Sequence, residues 1–196
     1  MFTDVTERFL KHIPPGHMRD WVWSNVVPIK GAVRDFMGSY LENVVARHEA
    51  WQRGEKGGKR ADLSGWKLAY TGVNLKGRDL SGAVFTGADL SGMNLQGADL
   101  TKAKLDKVDM GGANLSEARL DGADLRGAYL FRADMRNSSL RNANCVGAGF
   151  AGANLFGADA TGAKGKEIAT AYHEATWGTA ASRVQAEKEL RRLKAT

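Results

Sequence analysis

The chain has 196 residues, enough for one or two domains, with a formal net charge of +6 and one cysteine. A lone cysteine excludes an internal disulfide, and no run of about 18 apolar residues is present to span a membrane. The charge is unevenly spread: 10 Lys and Arg against 7 Asp and Glu in residues 1–60, 11 against 11 in residues 61–163, and 7 against 4 in residues 164–196.

Taken in chain order, residues 1–52 read as a helical N-terminal segment. "TDVTERFLKHI" offers Thr3 or Asp4 as a cap and Val5, Phe9 and Ile13 at helical spacing, and Pro14-Pro15-Gly16 stops it. Trp21, Trp23, Val26 and Val27 cluster before Pro28. A longer helix is predicted over residues 29–52, with Ile29, Val33, Phe36, Tyr40, Val44, His48 and Trp51 on one face. Residues 53–60, "RGEKGGKR", read as a charged glycine linker. The N-terminus carries no signal-peptide core, so the expected location is the cytoplasm, in a bacterial or phage-type setting.

A five-residue beat starts at residue 61. "ADLSG" and "WKLAY" are followed by a two-residue insertion, Thr71-Gly72, and then by 18 uninterrupted units from Val73 to Gly162. The central position reads Leu75, Leu80, Phe85, Leu90, Leu95, Leu100, Leu105, Met110, Leu115, Leu120, Leu125, Leu130, Met135, Leu140, Cys145, Phe150, Leu155 and Ala160. Two places earlier the residue is mostly Ala, and the last place is usually Gly. Such self-similarity marks stacked units that cannot bury an apolar face singly. Each unit supplies one side and a corner of a coil. Large central groups and small alanines point inward together and fill a tight shaft.

These units resemble the A(D/N)LXX motif of the pentapeptide-repeat family, over residues 61–163. The resemblance implies a mainly β fold: a right-handed, four-sided parallel β-helix with 20 residues per coil, here flanked by α-helices at both ends. Asn74, Asn94, Asn114 and Asn154 lie at multiples of 20, with Asp134 filling the gap, and are expected to stack as an amide ladder. Opposite charges recur at the same spacing in Asp99 and Arg119, Lys104 and Asp124, Asp106 and Arg126, and Asp121 and Arg141. At coil spacing the uninterrupted stretch makes a rod about 22 Å long. Residues 164–196 read as C-terminal helices split at Gly178.

No catalytic constellation emerges. His12, His17, His48 and His173 share no metal-ligand spacing, so neither a metal nor a cofactor is expected. Cys145 takes an inward slot and reads as a buried core residue. Gly147, Gly149 and Gly152 match GxGxxG only because glycines fall at repeat corners, without a βαβ context. The chain is therefore expected not to be an enzyme.

The outside remains. Arg119, Arg126, Arg132, Arg136 and Arg141 fall in a lysine-free stretch with outward Tyr129, Phe131 and Phe156, a composition enriched at protein interfaces. Trp21, Trp23, Phe36, Tyr40 and Trp51 form a second candidate, either covering the open end of the coil or serving as a docking arm. The expected function is a protein-interaction module with an unidentified protein partner, and the terminal helices offer a route to homo-oligomers. The family resemblance suggests DNA mimicry toward gyrase as the alternative. That role needs a strongly negative surface, whereas residues 73–162 carry ten basic and ten acidic residues. Direct nucleic-acid binding through the basic flanks is not expected.

Overall fold

The computed structural model describes residues 30–69, 71 and 73–168, with residues 30–37 described by backbone alone. The predicted first helix, Trp21 and Trp23, and the C-terminal helices beyond a short helical turn at 166–168 lie outside the described residues.

Helix α1 spans Lys30–Gln52. Its end is a Schellman motif: Gly54 N–H donates to Trp51 O (3.0 Å) and Glu55 N–H to Ala50 O (2.8 Å), with Gly54 at φ 70°. The chain then turns back along the helix, where Lys59 N–H donates to Arg47 O (2.9 Å). A Cβ on Gly58 would stand 2.4 Å from the Trp51 backbone nitrogen, so only glycine fits that approach. The stretch that reads as a linker is thus an ordered return against α1.

From residue 61 the chain winds as a parallel β-helix. Every bridge among the described residues is parallel and joins residues 20 apart, except Asp62 to Val84 and Lys67 to Asp89, which are 22 apart. Those two pairs flank the Thr71-Gly72 insertion. Four sides result. Side 1 stacks Asp62, Val84, Lys104, Asp124, Asn144 and Lys164, and side 2 stacks Lys67, Asp89, Asp109, Tyr129 and Gly149. Side 3 stacks Asn94, Asn114, Asp134 and Asn154, and side 4 stacks Asp79, Asp99, Arg119, Ser139 and Asp159.

The unit follows from its hydrogen bonds. The residue before the centre faces out, and the central N–H donates to the next coil, as from Leu100 to Arg119 O at 2.7 Å. A turn closes each corner, as from Ala103 N–H to Leu100 O at 3.0 Å, with positive φ at its third residue. Where that residue is not glycine, as at Lys102, Lys107, Glu117, Arg132, Asn137 and Asn142, φ still lies between 55° and 62°. Leu80, Leu100, Leu120 and Leu140 are fully buried, as are Ala83, Ala103 and Ala123, so the shaft is filled by its own side chains.

The expected amide ladder takes a different form. Asn94, Asn114, Asp134 and Asn154 do stack, but each side-chain oxygen turns to its own corner: Asn94 Oδ1 accepts Gln96 N–H (3.1 Å) and Asn154 Oδ1 accepts Phe156 N–H (3.1 Å). Asp79, Asp89, Asp99 and Asp109 do the same to residues 81, 91, 101 and 111. The N–H at a tight corner cannot reach the coil ladder, and the adjacent Asx oxygen is the nearest acceptor. That is the physical reason for Asp or Asn before the central leucine.

Candidate interaction surfaces

The first coil differs from the others at its inward small-residue slots. Where later coils carry mostly alanine, it has Trp66, Val73 and Arg78 beside Ala61. These larger groups meet α1, which lies across the first coil. Leu41 and Val45 of α1 are buried in the same apolar cluster as Leu63, Leu68 and Leu75. Tyr40 stacks on Trp66 with ring centroids 6.0 Å apart and planes at 9°.

The helix also satisfies backbone groups on the first coil. His48 is fully buried; Ala61 N–H donates to its Nδ1 (3.1 Å), which leaves the proton on Nε2, 3.1 Å from Ser81 O. Burial pushes the His48 imidazole below its ordinary range, in keeping with a neutral ring. Glu42 Oε1 accepts Asn74 N–H (3.1 Å), and Gln52 Nε2 donates to Ser81 Oγ (2.6 Å). Arg78 is gripped by Glu49 (2.6 Å) and Glu42 (2.7 Å), and its hydrogen bond holds the Glu49 carboxyl below the usual range.

Of the aromatic residues expected in this segment, Tyr40 packs on the coil, while Trp51 is 41% exposed and stacks on the His48 ring at 5.5 Å. The Phe36 side chain lies outside the described residues. The predicted stripe does face the coil, with His48 fully buried and Tyr40 and Val44 half-buried against the core, and the buried face extends beyond it to Leu41 and Val45. Sequence reasoning missed Arg78, although a charged residue in a small-residue slot was a visible signal.

The outward candidates do not form one patch. Arg119 lies on side 4 and Arg141 at the corner between sides 4 and 1, whereas Arg136 and Phe156 share the corner between sides 3 and 4. Only Arg126, Tyr129, Phe131 and Arg132 gather around side 2. Tyr129, Phe131 and Phe156 are 62%, 51% and 51% exposed, and Val146, which the sequence reading passed over, is 53% exposed beside side 2.

Four arginines pair with aspartates. Arg119 reaches Asp99 (3.1 Å), as its 20-residue spacing predicts. Arg126 pairs with Asp124 (2.6 Å) rather than Asp106, and Arg141 with Asp159 (2.5 Å) rather than with the Asp121 carboxylate by its side chain. Arg136 pairs with Asp134 (2.7 Å). The two bidentate partners hold the Asp124 and Asp134 carboxyls below their ordinary range. Lys104 and Asp124 are bridge neighbours on side 1. The Arg132 guanidinium instead sits 4.8 Å over the Phe131 ring.

Among the described residues, no group of three or more His, Cys, Asp and Glu is placed to hold a metal. Cys145 is buried, and burial pushes its thiol up to about 12. Gly147 and Gly152 occupy corners, but Gly149 stands in the middle of side 2, bridged to Tyr129, and so departs from the expected corner position. No helix of the described residues is long and apolar enough to cross a membrane.

A parallel coil of five-residue units, filled inside and varied outside, defines a stacked-repeat solenoid. The family model for pentapeptide repeats matches in 8 copies over residues 71–106, 94–130 and 133–164. Through these residues the chain belongs to the pentapeptide-repeat family. Among solved structures it is similar to the pentapeptide repeat protein Rfr23 from the cyanobacterium Cyanothece 51142 (27% identity, covering 53% of this chain and 80% of that one, TM-score 0.46). It is also similar to a pentapeptide repeat protein of the Arabidopsis thaliana thylakoid lumen (35% identity, 50% and 64%, TM-score 0.27), so it spans less than two thirds of that chain. A third likeness is to HetL, involved in heterocyst differentiation regulation in Nostoc sp. strain PCC 7120 (29% identity, 54% and 68%, TM-score 0.30). No curated protein matches the chain.

Proposed function

We propose that this chain is a non-enzymatic interaction module, a rigid right-handed rod in the cytoplasm that recognises a protein partner with its outer side chains. Helix α1 acts in this reading as the cap of the N-terminal coil. The observation that carries the reading is the division between a filled shaft and an exterior bearing exposed Tyr129, Phe131, Val146 and Phe156. Large exposed aromatics next to arginine make good anchors when a partner dehydrates them. The test is affinity capture with the full chain against the Tyr129→Ser/Phe131→Ser and Phe156→Ser variants. Loss of one specific captured protein from either variant supports the module; identical capture by all three proteins removes it.

DNA mimicry is a second reading, favoured by stacked like charges at Asp79 and Asp99 and at Asp89 and Asp109. Against it, arginines neutralise Asp99, Asp124, Asp134 and Asp159. Gyrase supercoiling measured with micromolar protein separates the two, since a mimic inhibits or protects and a module of the first kind does neither.

A further inference from the structure

Side 2 changes character along the rod. Its lower coil presents Asp106 and Lys107 at one corner, Asp109 in the middle, and Gly111 and Gly112 at the other corner. The coil above presents Arg126 and Gly127, then Tyr129, then Phe131 and Arg132. Each bulky or charged group in one row thus has glycine, the opposite charge or a hydrogen-bond partner in the other. The exposed apolar residues of this side, Tyr129, Phe131 and Val146, are all at least half exposed.

We infer that side 2 is self-complementary and pairs with side 2 of a second copy of this chain, antiparallel, about a twofold axis midway between these two rows and perpendicular to the rod. That axis keeps corner opposite corner and exchanges the rows. Arg126 then faces Asp106 of the second copy, Tyr129 presents its hydroxyl to Asp109, and Phe131 enters the flat place left by Gly111. Arg132 lies opposite Gly112, and Lys107 opposite Gly127. Every contact occurs twice. One coil further out, Val146 meets Thr86, and side-chain-free Gly149 meets Asp89.

The groups needed are accessible. Asp109 uses Oδ1 for Gly111 N–H (2.9 Å) and Asp106 Oδ1 accepts Thr86 Oγ1 (2.7 Å), so each carboxylate keeps a second oxygen for the facing copy. Arg126 now pairs with Asp124 in water, an exposed pair that exchanges or shares partners at little cost. Pairing also relieves the stacked Asp89 and Asp109 charges by placing Tyr129 and Arg126 over that end of the side.

This inference rests on the reading of the exterior as a recognition surface and names a second copy as the occupant of one side. Its test reads association alone, so it can fail while the capture experiment succeeds. Sedimentation equilibrium on the full chain is expected to show a reversible dimer. Arg126→Asp and Asp106→Arg should each weaken it about tenfold or more by setting like charges opposite each other, and the double swap should restore it. Circular dichroism confirms that each variant stays folded. A monomer at all accessible concentrations, as when residues 169–196 or another protein cover side 2, overturns the inference. A dimer that none of the swaps moves overturns it equally, because association then uses another surface.

Discussion

Replacing His48 by leucine tests the capped end directly. The imidazole takes the Ala61 N–H on Nδ1 and presents Nε2–H to Ser81 O, both at 3.1 Å, in a fully buried position. Leucine fills similar space but leaves the Ala61 amide without that acceptor, whereas Ser81 O keeps its contact from Gln52. A buried unpaired amide and one lost acceptor contact together cost about 2–4 kcal/mol. The loss should appear in urea unfolding and as faster hydrogen exchange at the Ala61 amide. Protonation makes the same point. Burial lowers the folded-state pKa below the ordinary 6.5, so the unfolded chain takes up protons first as pH falls. The contribution of His48 is full above 6.5 and declines below it until the folded value is passed. Asp79, Arg60 and Glu49 face the ring; Glu49, held low by Arg78, begins to lose its own contribution only below 4.5, so the decline due to His48 starts first. The wild type should therefore lose Ala61 protection as pH falls below about 6.5, and the leucine variant should lack that slope. Equal protection and equal slope in both proteins would refute the assignment.

Three other outcomes follow from the coil. Leu100→Ala, in the middle of the filled shaft, should cost about 3–5 kcal/mol in chemical denaturation, because neighbours above and below cannot close the gap. Gly157→Ala should destabilise by about 1–2 kcal/mol, since φ is +71° and the new Cβ falls 2.2 Å from Asn137 Oδ1. Asn137→Gly should recover the steric part, which a double-mutant cycle on thermal midpoints reads. Cys145, with its thiol raised to about 12, should react with a maleimide only as fast as the coil opens, and its rate should rise with urea.

The coil was legible because a period of five has few physical solutions, and the central leucines and their alanine partners needed no tertiary information to be placed inside. The role of Asp and Asn was less legible. Spacing alone shows that Asn94 and Asn114 stack, yet the rotamer decides whether an amide bonds along the stack or to its own corner, and the corner N–H is closer. The same local advantage diverts Arg126 to Asp124, two residues away, from Asp106 one coil below. In α1 the stripe of Tyr40, Val44 and His48 was legible, but the deeper burial of the adjacent Leu41 and Val45 was not, because it depends on how the helix lies across the first coil. Val146 was readable from the register as an outward valine at a corner.

The two-residue insertion at Thr71-Gly72 shows how such a rod can grow. The coil reads length in steps of 20, so a duplicated block of four units lengthens it while every column keeps its compass bearing. A single extra unit would instead swing everything downstream by a quarter turn and break up whatever a side displays. Heritable change in this architecture should therefore favour whole turns within the shaft, with irregular lengths confined to the ends, where Thr71-Gly72 already sits in the coil that α1 covers.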